Sequence, residues 1–246
     1  MSLAVTSLGT RRLLDPVLAV VFPGRCPACG DSVTRPTRGP LCVRCWGALP
    51  KHDHPACRCG FSLPEGVRGL CGRCRRGLTP FAAGASLGPF EGSLRILIHE
   101  LKYKGHRRVA ARLAETLLAE AAVAELLSEG ALVVPVPLHR RRARLRGFNQ
   151  SELLARELGA RRGLDVACDV LVRLRDTPSQ TGLSAARRRR NVSAAFAVSQ
   201  GRRVRDRVVV LVDDVFTTGA TAMACTRVLR ASGATQVRLV TAARVS

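Results

Sequence analysis

The most specific chemistry in this sequence lies in one segment, Val209-Val-Leu-Val-Asp213-Asp214-Val-Phe-Thr217-Thr218-Gly219-Ala220-Thr221. Val209 to Val212 have the length and β-branched character of a buried parallel strand. The acidic pair emerges at its carboxyl end, where open α/β sheets bind ligands. A short loop of threonines and one glycine then opens a helix. Its backbone N–H groups and hydroxyls can wrap a phosphate, helped by the helix dipole. Gly219 lets the backbone approach the phosphate oxygens without a side chain in the way. The neighbouring carboxylates can accept hydrogen bonds from a ribose diol, so the pattern fits a sugar bearing a 5-phosphate. An acidic pair after a strand can also merely cap a helix, but the full thirteen-residue order is too specific for that.

The second chemistry is that of sulfur. Eight of the ten cysteines fall in four close pairs: Cys26/Cys29, Cys42/Cys45, Cys57/Cys59 and Cys71/Cys74. Two thiols on one turn point at one tetrahedral cation, and two such turns complete a structural zinc site. Gaps of twelve and eleven residues separate the first two and the last two pairs, room for one hairpin between knuckles. A disulfide framework suits a small secreted domain, and a redox Cys-x-x-Cys normally occurs once. Four pairs without a convincing export signal favour zinc. Consecutive and crossed pairing both remain open, as does one ion or two, and His52 or His54 stands close enough to replace a thiolate. Cys168 and Cys225 sit in apolar surroundings and are expected to be buried structural thiols.

These groups need elements to position them. Arg107–Leu127 and Ser151–Leu158 carry apolar residues at helical spacing, with Ser151 as a cap. Ala131–Val136, Arg207–Val212 and Gln236–Ala242 read as strands, and Ala220–Arg230 as a helix stopped by Ser232-Gly233. Strands alternating with helices predict an α/β domain with a mostly parallel sheet over residues 81–246. Residues 1–80 form an N-terminal helix plus a zinc ribbon, which has too few large apolar side chains to fold on burial alone. The formal charge of +22 points to polyanionic partners. No stretch approaches the ~18 apolar residues of a membrane span. The apolar run Leu13–Phe22 lacks a cleavage site and is expected to be a short docking helix, so the protein is expected to be cytoplasmic and not membrane-integral.

The Val209–Thr221 segment resembles the phosphoribosyl pyrophosphate (PRPP) motif of type I phosphoribosyltransferases. The likeness extends through Leu101-Lys-Tyr-Lys-Gly105, Val134-Pro-Val-Pro-Leu-His139, Arg146-Gly-Phe-Asn-Gln150 and Arg175-Asp-Thr-Pro-Ser-Gln180 up to Arg190-Asn191. In that order, behind a cysteine-knuckle domain, these motifs resemble the ComF/ComFC competence family. The resemblance implies that Asp213 and Asp214 hold the ribose hydroxyls and that Thr217, Thr218, Gly219, Ala220 and Thr221 hold the 5-phosphate. It implies a pyrophosphate loop with His139 and Arg140, and a mobile hood from Arg175 to Asn191 that brings Arg190 over the substrate. Lys102 and Tyr103 are supporting residues. Mg²⁺ accompanies PRPP, and structural Zn²⁺ holds the ribbon. The reaction implied is displacement of pyrophosphate from the anomeric carbon. Catalysis itself is left open, since no general base stands out and Asp214 serves only if the nucleophile lies on its side.

The rival reading is a non-enzymatic module that grips single-stranded DNA through Arg140–Arg146 and Arg187–Arg190, with competence-machinery proteins as further partners. The acidic pair speaks for PRPP, because carboxylates repel a DNA backbone. Only twenty-five residues follow Thr221, enough for one helix and one strand and no hood. The zinc unit is therefore expected near the carboxyl edge of the sheet, with Arg58, Arg68, Arg73, Arg75 and Arg76 lending charge to the groove.

Overall fold

The computed structural model describes residues 24–52, 56–103, 107–175 and 195–245. The expected helix at Leu13–Phe22, His54 and the hood positions 176–191, with Arg187–Arg190, lie outside the described residues.

The cysteine segment contributes two short helices, α1 (Val43–Gly47) and α2 (Gly72–Arg75), each starting just after the first cysteine of a knuckle. The chain then enters β1 (Ala83–Pro89), α3 (Gly92–Tyr103), α4 (Arg108–Leu118), α5 (Ala121–Leu126) and β2 (Leu132–Pro135). Next come α6 (Arg140–Arg146), α7 (Gln150–Arg162), β3 (Asp165–Val166), β4 (Leu171–Arg173), β5 (Phe196–Val198) and α8 (Gly201–Val204). It closes with β6 (Val208–Phe216), α9 (Ala220–Ala231) and β7 (Gln236–Arg244). Five strands form one sheet in the order β1-β7-β6-β2-β3, and every pair in it is parallel. The β6–β7 connection steps one way from the middle of the sheet and β2–β3 steps the other. The crevice at the carboxyl ends of β6 and β2 is thus a topological switch point.

Alternation along β6 divides the core. Val210 and Val212 face Leu97, Leu113 and Leu154 from α3, α4 and α7. Val209 and Leu211 face Ala222, Cys225 and Leu229 of α9 on the other side. The cysteine segment straddles the β1 edge and joins both layers: Leu41, Trp46 and Leu49 enter the first core, and Leu63 and the four cysteines from Cys57 to Cys74 enter the second. It also takes up the free edge of β1, which would otherwise expose unpaired backbone groups. The Gly84 N–H donates to Arg58 O at 2.8 Å, and the Arg58 guanidinium donates to the carbonyls of Phe81 and Ala82.

One expectation changes here. The single helix over 107–127 is two, because Glu120 is extended and turns α5 back onto β1 and β7, where Val123 and Leu126 are buried. Strand β1 carries little β-propensity, with glycines at 84 and 88, and its reason is tertiary. A Cβ on Gly88 would lie 1.9 Å from Pro50 O, so the ribbon chain can cross here only over a glycine. Gly88→Ala is expected to cost about 1–3 kcal/mol through overpacking. An unchanged denaturant midpoint of the zinc-loaded protein would contradict that packing.

Candidate functional site

The carboxyl end of β6 and the loop before α9 frame a cavity of about 390 Å³. Asp213, the 215–222 segment, Thr241, Lys102, Arg142 and Arg173 line it. Gly219 adopts the left-handed conformation, φ +75°, and a Cβ there would sit 2.4 Å from the Phe216 ring. That glycine therefore fixes the sharp turn into α9; it brings no capping side chain itself, and the Ala220 N–H at the start of the helix donates to Thr218 Oγ1 at 3.4 Å. Thr217 and Thr218 are exposed.

The two aspartates do different things. Asp213 is partly exposed, lines the cavity, and accepts a 3.0 Å hydrogen bond from the Ser151 hydroxyl. It lies within β6, paired with Thr241 of β7. Burial pushes its carboxyl up to about 6, although Lys102, the Ser151 hydroxyl and Arg173 pull the other way. Asp214 is buried outside the cavity lining and forms an ion pair with Lys102 Nζ. Burial lowers the Lys102 ammonium to about 8, with attraction from Asp213 opposing and Arg146 adding repulsion. The contact is with Asp214, while Asp213 is the carboxylate that acts on Lys102 through its field. One lysine thus sits at the centre of both carboxylates.

The cysteines resolve into two quartets in consecutive pairing. Cys26, Cys29, Cys42 and Cys45 form one, and Cys57, Cys59, Cys71 and Cys74 the other, with the sulfurs of each set within 4.8 Å of one another. Thiolates about 2.3 Å from a tetrahedral zinc stand roughly 3.8 Å apart, so both quartets fit the ion. Cys57-x-Cys59 completes its quartet despite the tight spacing. His52 is no ligand: its ring nitrogens pair with the hydroxyls of Ser86 and Ser62, both at 2.8 Å. Cys225 is fully buried, as expected, and Cys168 is only partly so.

The second quartet reaches the cavity. Arg73, between Cys71 and Cys74, donates to Thr218 O at 3.2 Å and contacts Met223 Sδ at 3.3 Å. Arg244 at the end of β7 donates to Cys59 O at 2.7 Å and lies over the Phe216 ring, 4.2 Å from its centroid. Phe216 in turn presses on Gly219. The second cysteine quartet thus braces the Phe216–Gly219 turn from behind. Of the arginines expected to charge the groove, Arg73 touches the loop and Arg58 is spent on the β1 edge.

Residues 17–75 match the double zinc ribbon domain family, and residues 146–246 match the phosphoribosyl transferase domain family. The DNA utilization protein YhgH of Salmonella typhi is 35% identical over 225 residues, spanning 90% of this chain and 91% of that protein. Competence protein F of Haemophilus influenzae is 31% identical over 89% of this chain and 96% of its own. The chain belongs to the ComF family. It joins a zinc ribbon with two cysteine quartets to a phosphoribosyltransferase-like α/β domain, and its relatives bear names tied to DNA utilization and competence. Part of a Bacillus subtilis glutamine PRPP amidotransferase aligns with 53% of the chain and 25% of that enzyme, at 24% identity and a TM-score of 0.36.

In this ComF chain, the residues expected at the phosphate loop and Asp213 come together, while Asp214 turns to Lys102. His139 and Arg140 stand outside the cavity lining. His139 instead caps α6, its Nδ1 accepting from Arg141 N at 3.3 Å. Arg142, on the next part of that helix, lines the cavity in their place. Arg190 lies outside the described residues. Arg173 and Ser151 were not expected here. Arg173 ends a three-residue strand, two residues before the Arg175–Gln180 motif and outside it. Ser151 reads as a helix cap, but Asn149 is the cap, its side chain accepting from Ser151 N at 3.1 Å, which frees the serine hydroxyl for Asp213. No helix among the described residues is long and apolar enough to cross a membrane.

Proposed function

We propose that this ComF chain binds PRPP with Mg²⁺ in the cavity and transfers its phosphoribosyl group to an acceptor. The observation that carries the reading is the lining: one carboxylate beside a threonine-glycine turn that opens a helix, with Arg142, Arg173 and Lys102 in the same lining. Backbone N–H groups and hydroxyls from Thr217 to Thr221 hold the 5-phosphate, with the positive helix end behind them. Asp213 accepts from the ribose hydroxyls, and Asp214 sets the position of Lys102. Guanidinium groups bind phosphate oxygens in pairs, which suits Arg142 and Arg173 to the pyrophosphate. His139, Arg140 and the hood residue Arg190 belong to the rim on this reading. Mg²⁺ takes oxygen ligands from one or two carboxylates plus substrate phosphates, a donor set that Asp213 and PRPP together supply. Bound there, it would neutralise charge on the departing pyrophosphate. The acceptor's nucleophile then forms the bond to the anomeric carbon as the bond to pyrophosphate breaks. The protein works in the cytoplasm, where its thiolates stay reduced.

Calorimetric titration of the zinc-loaded protein with Mg-PRPP checks this. Thr221→Val removes a hydroxyl facing an anion, a contact worth about 1.5–3 kcal/mol, and should weaken binding at least tenfold. Absence of heat with the parent protein would end the reading. A second reading is carried by the charge of +22 and the five arginines of α6: the chain handles single-stranded DNA with other competence proteins, and the transferase fold only binds. It predicts strand binding without pyrophosphate release in the presence of any acceptor.

A further inference from the structure

Beside the cavity lies a second hollow of about 450 Å³, lined by Lys102, Tyr103, Arg142, Leu145, Arg146 and Phe148. Lys102 and Arg142 line both hollows, so the two adjoin. The two linings differ in kind. The first offers hydroxyls and backbone amides. Among the described residues, the second offers two aromatic rings and a leucine, with three cations and no carboxylate. Tyr103 is 68% exposed and Leu145 80%, a large apolar surface left facing water beside positive charge.

The side chains there are held in place. Arg146 lies 5.0 Å from the Tyr103 ring centroid and donates to Gln150 Oε1 at 2.5 Å. Arg107 lies 5.1 Å from the Phe148 ring centroid. Flat rings bind by stacking on aromatic faces, and anions by pairing with guanidinium groups. A lining that supplies both, with Arg142 and Arg146 as its guanidinium groups, selects a flat ring that carries a phosphate.

We propose that this second hollow is a nucleotide subsite, with the base against Tyr103 and Leu145 and the phosphate on Arg142 and Arg146. Only its role as acceptor subsite rests on the PRPP reading; nucleotide binding does not. The nucleotide comes either free or as one unit of a single strand, and the linings are the same for both.

The test titrates the zinc-loaded protein with dTMP and with a fluorescent twelve-residue oligo(dT). Alanine substitution of a stacking ring costs about five- to a hundredfold in affinity. Tyr103→Ala should therefore weaken binding at least fivefold, Tyr103→Phe should restore it, and the salt slope should stay as in the parent, since no phosphate contact is lost. Binding and weakening with dTMP support a free nucleotide; weakening with the oligomer alone supports a strand. If the parent binds no PRPP yet the Tyr103 dependence holds, the PRPP reading fails and the subsite stands. Parent protein that binds neither probe, or Tyr103→Ala that binds both as well as the parent, overturns the subsite.

Discussion

Under a chelator, the protein should lose its two zinc ions in two separate steps, the Cys26–Cys45 quartet first. In that quartet Cys29 is exposed and Cys45 partly so, whereas all four sulfurs of the second quartet are buried. Access to the ligands sets how fast a chelator can take over the ion. Each step carries a large free energy, since structural zinc contributes on the order of 10 kcal/mol or more to a small domain. The steps also report themselves differently. The sole tryptophan, Trp46, packs in the first quartet's core under Arg112 and donates to Thr116 Oγ1 at 3.3 Å. Its fluorescence should change with the first zinc. The second quartet braces Thr218 through Arg73 and Phe216 through Arg244. Mg-PRPP binding should therefore survive the first step and vanish with the second. Because each half of the ribbon shares a core with one face of the sheet, the second loss should also lower the melting temperature of the sheet domain. Simultaneous release of both ions, or loss of PRPP binding together with the Trp46 signal, would show that the quartets are not independent in this way.

What the sequence discloses here depends on how local the cause is. The quartets are local: each pair of cysteines sits on one turn, and spacing alone implied a tetrahedral site. The partnering of turns is not local, which is why consecutive and crossed pairing were equal on sequence. The strand β6, the turn at Gly219 and helix α9 follow from a continuous motif. The division of labour between Asp213 and Asp214 does not, because it depends on Lys102, more than a hundred residues earlier. Arg173 and Ser151 reach the site by the same long route, from a three-residue strand and from the first turn of α7. Strand β1 was illegible for a related reason. Its glycines contradict a strand until the ribbon crossing at Pro50 is known, and then Gly88 becomes the residue that permits the edge to be covered. Tyr103 and Leu145 look like ordinary helix-surface residues until α3 and α6 are seen side by side.

Asp213→Asn should make the protein more stable and worse at binding Mg-PRPP, with both effects set by pH. Burial raises the carboxyl to about 6, against an ordinary value near 4. A raised acid means that the folded chain holds the proton more tightly than the unfolded one. The parent's stability is therefore undiminished below about pH 4 and falls as pH rises from there to about 6. Two units at about 1.4 kcal/mol each set an upper bound of roughly 3 kcal/mol for that loss. Asparagine has no charge to bury and can still accept from Ser151 through its amide oxygen. Lys102 loses one of its two carboxylates in the variant, which offsets part of the gain, so about 1–2 kcal/mol at pH 7.5 is expected and none at pH 4. Ligand binding runs opposite. The parent's affinity for Mg-PRPP should fall as pH drops through about 6 and Asp213 takes up its proton, while the variant should be weak throughout and lack that inflection. Denaturant midpoints at pH 4 and 7.5, paired with titrations across pH 5–8, measure both. Equal destabilisation of the variant at the two pH values would mean that the Asp213 charge is compensated in the fold and is not the cost identified here.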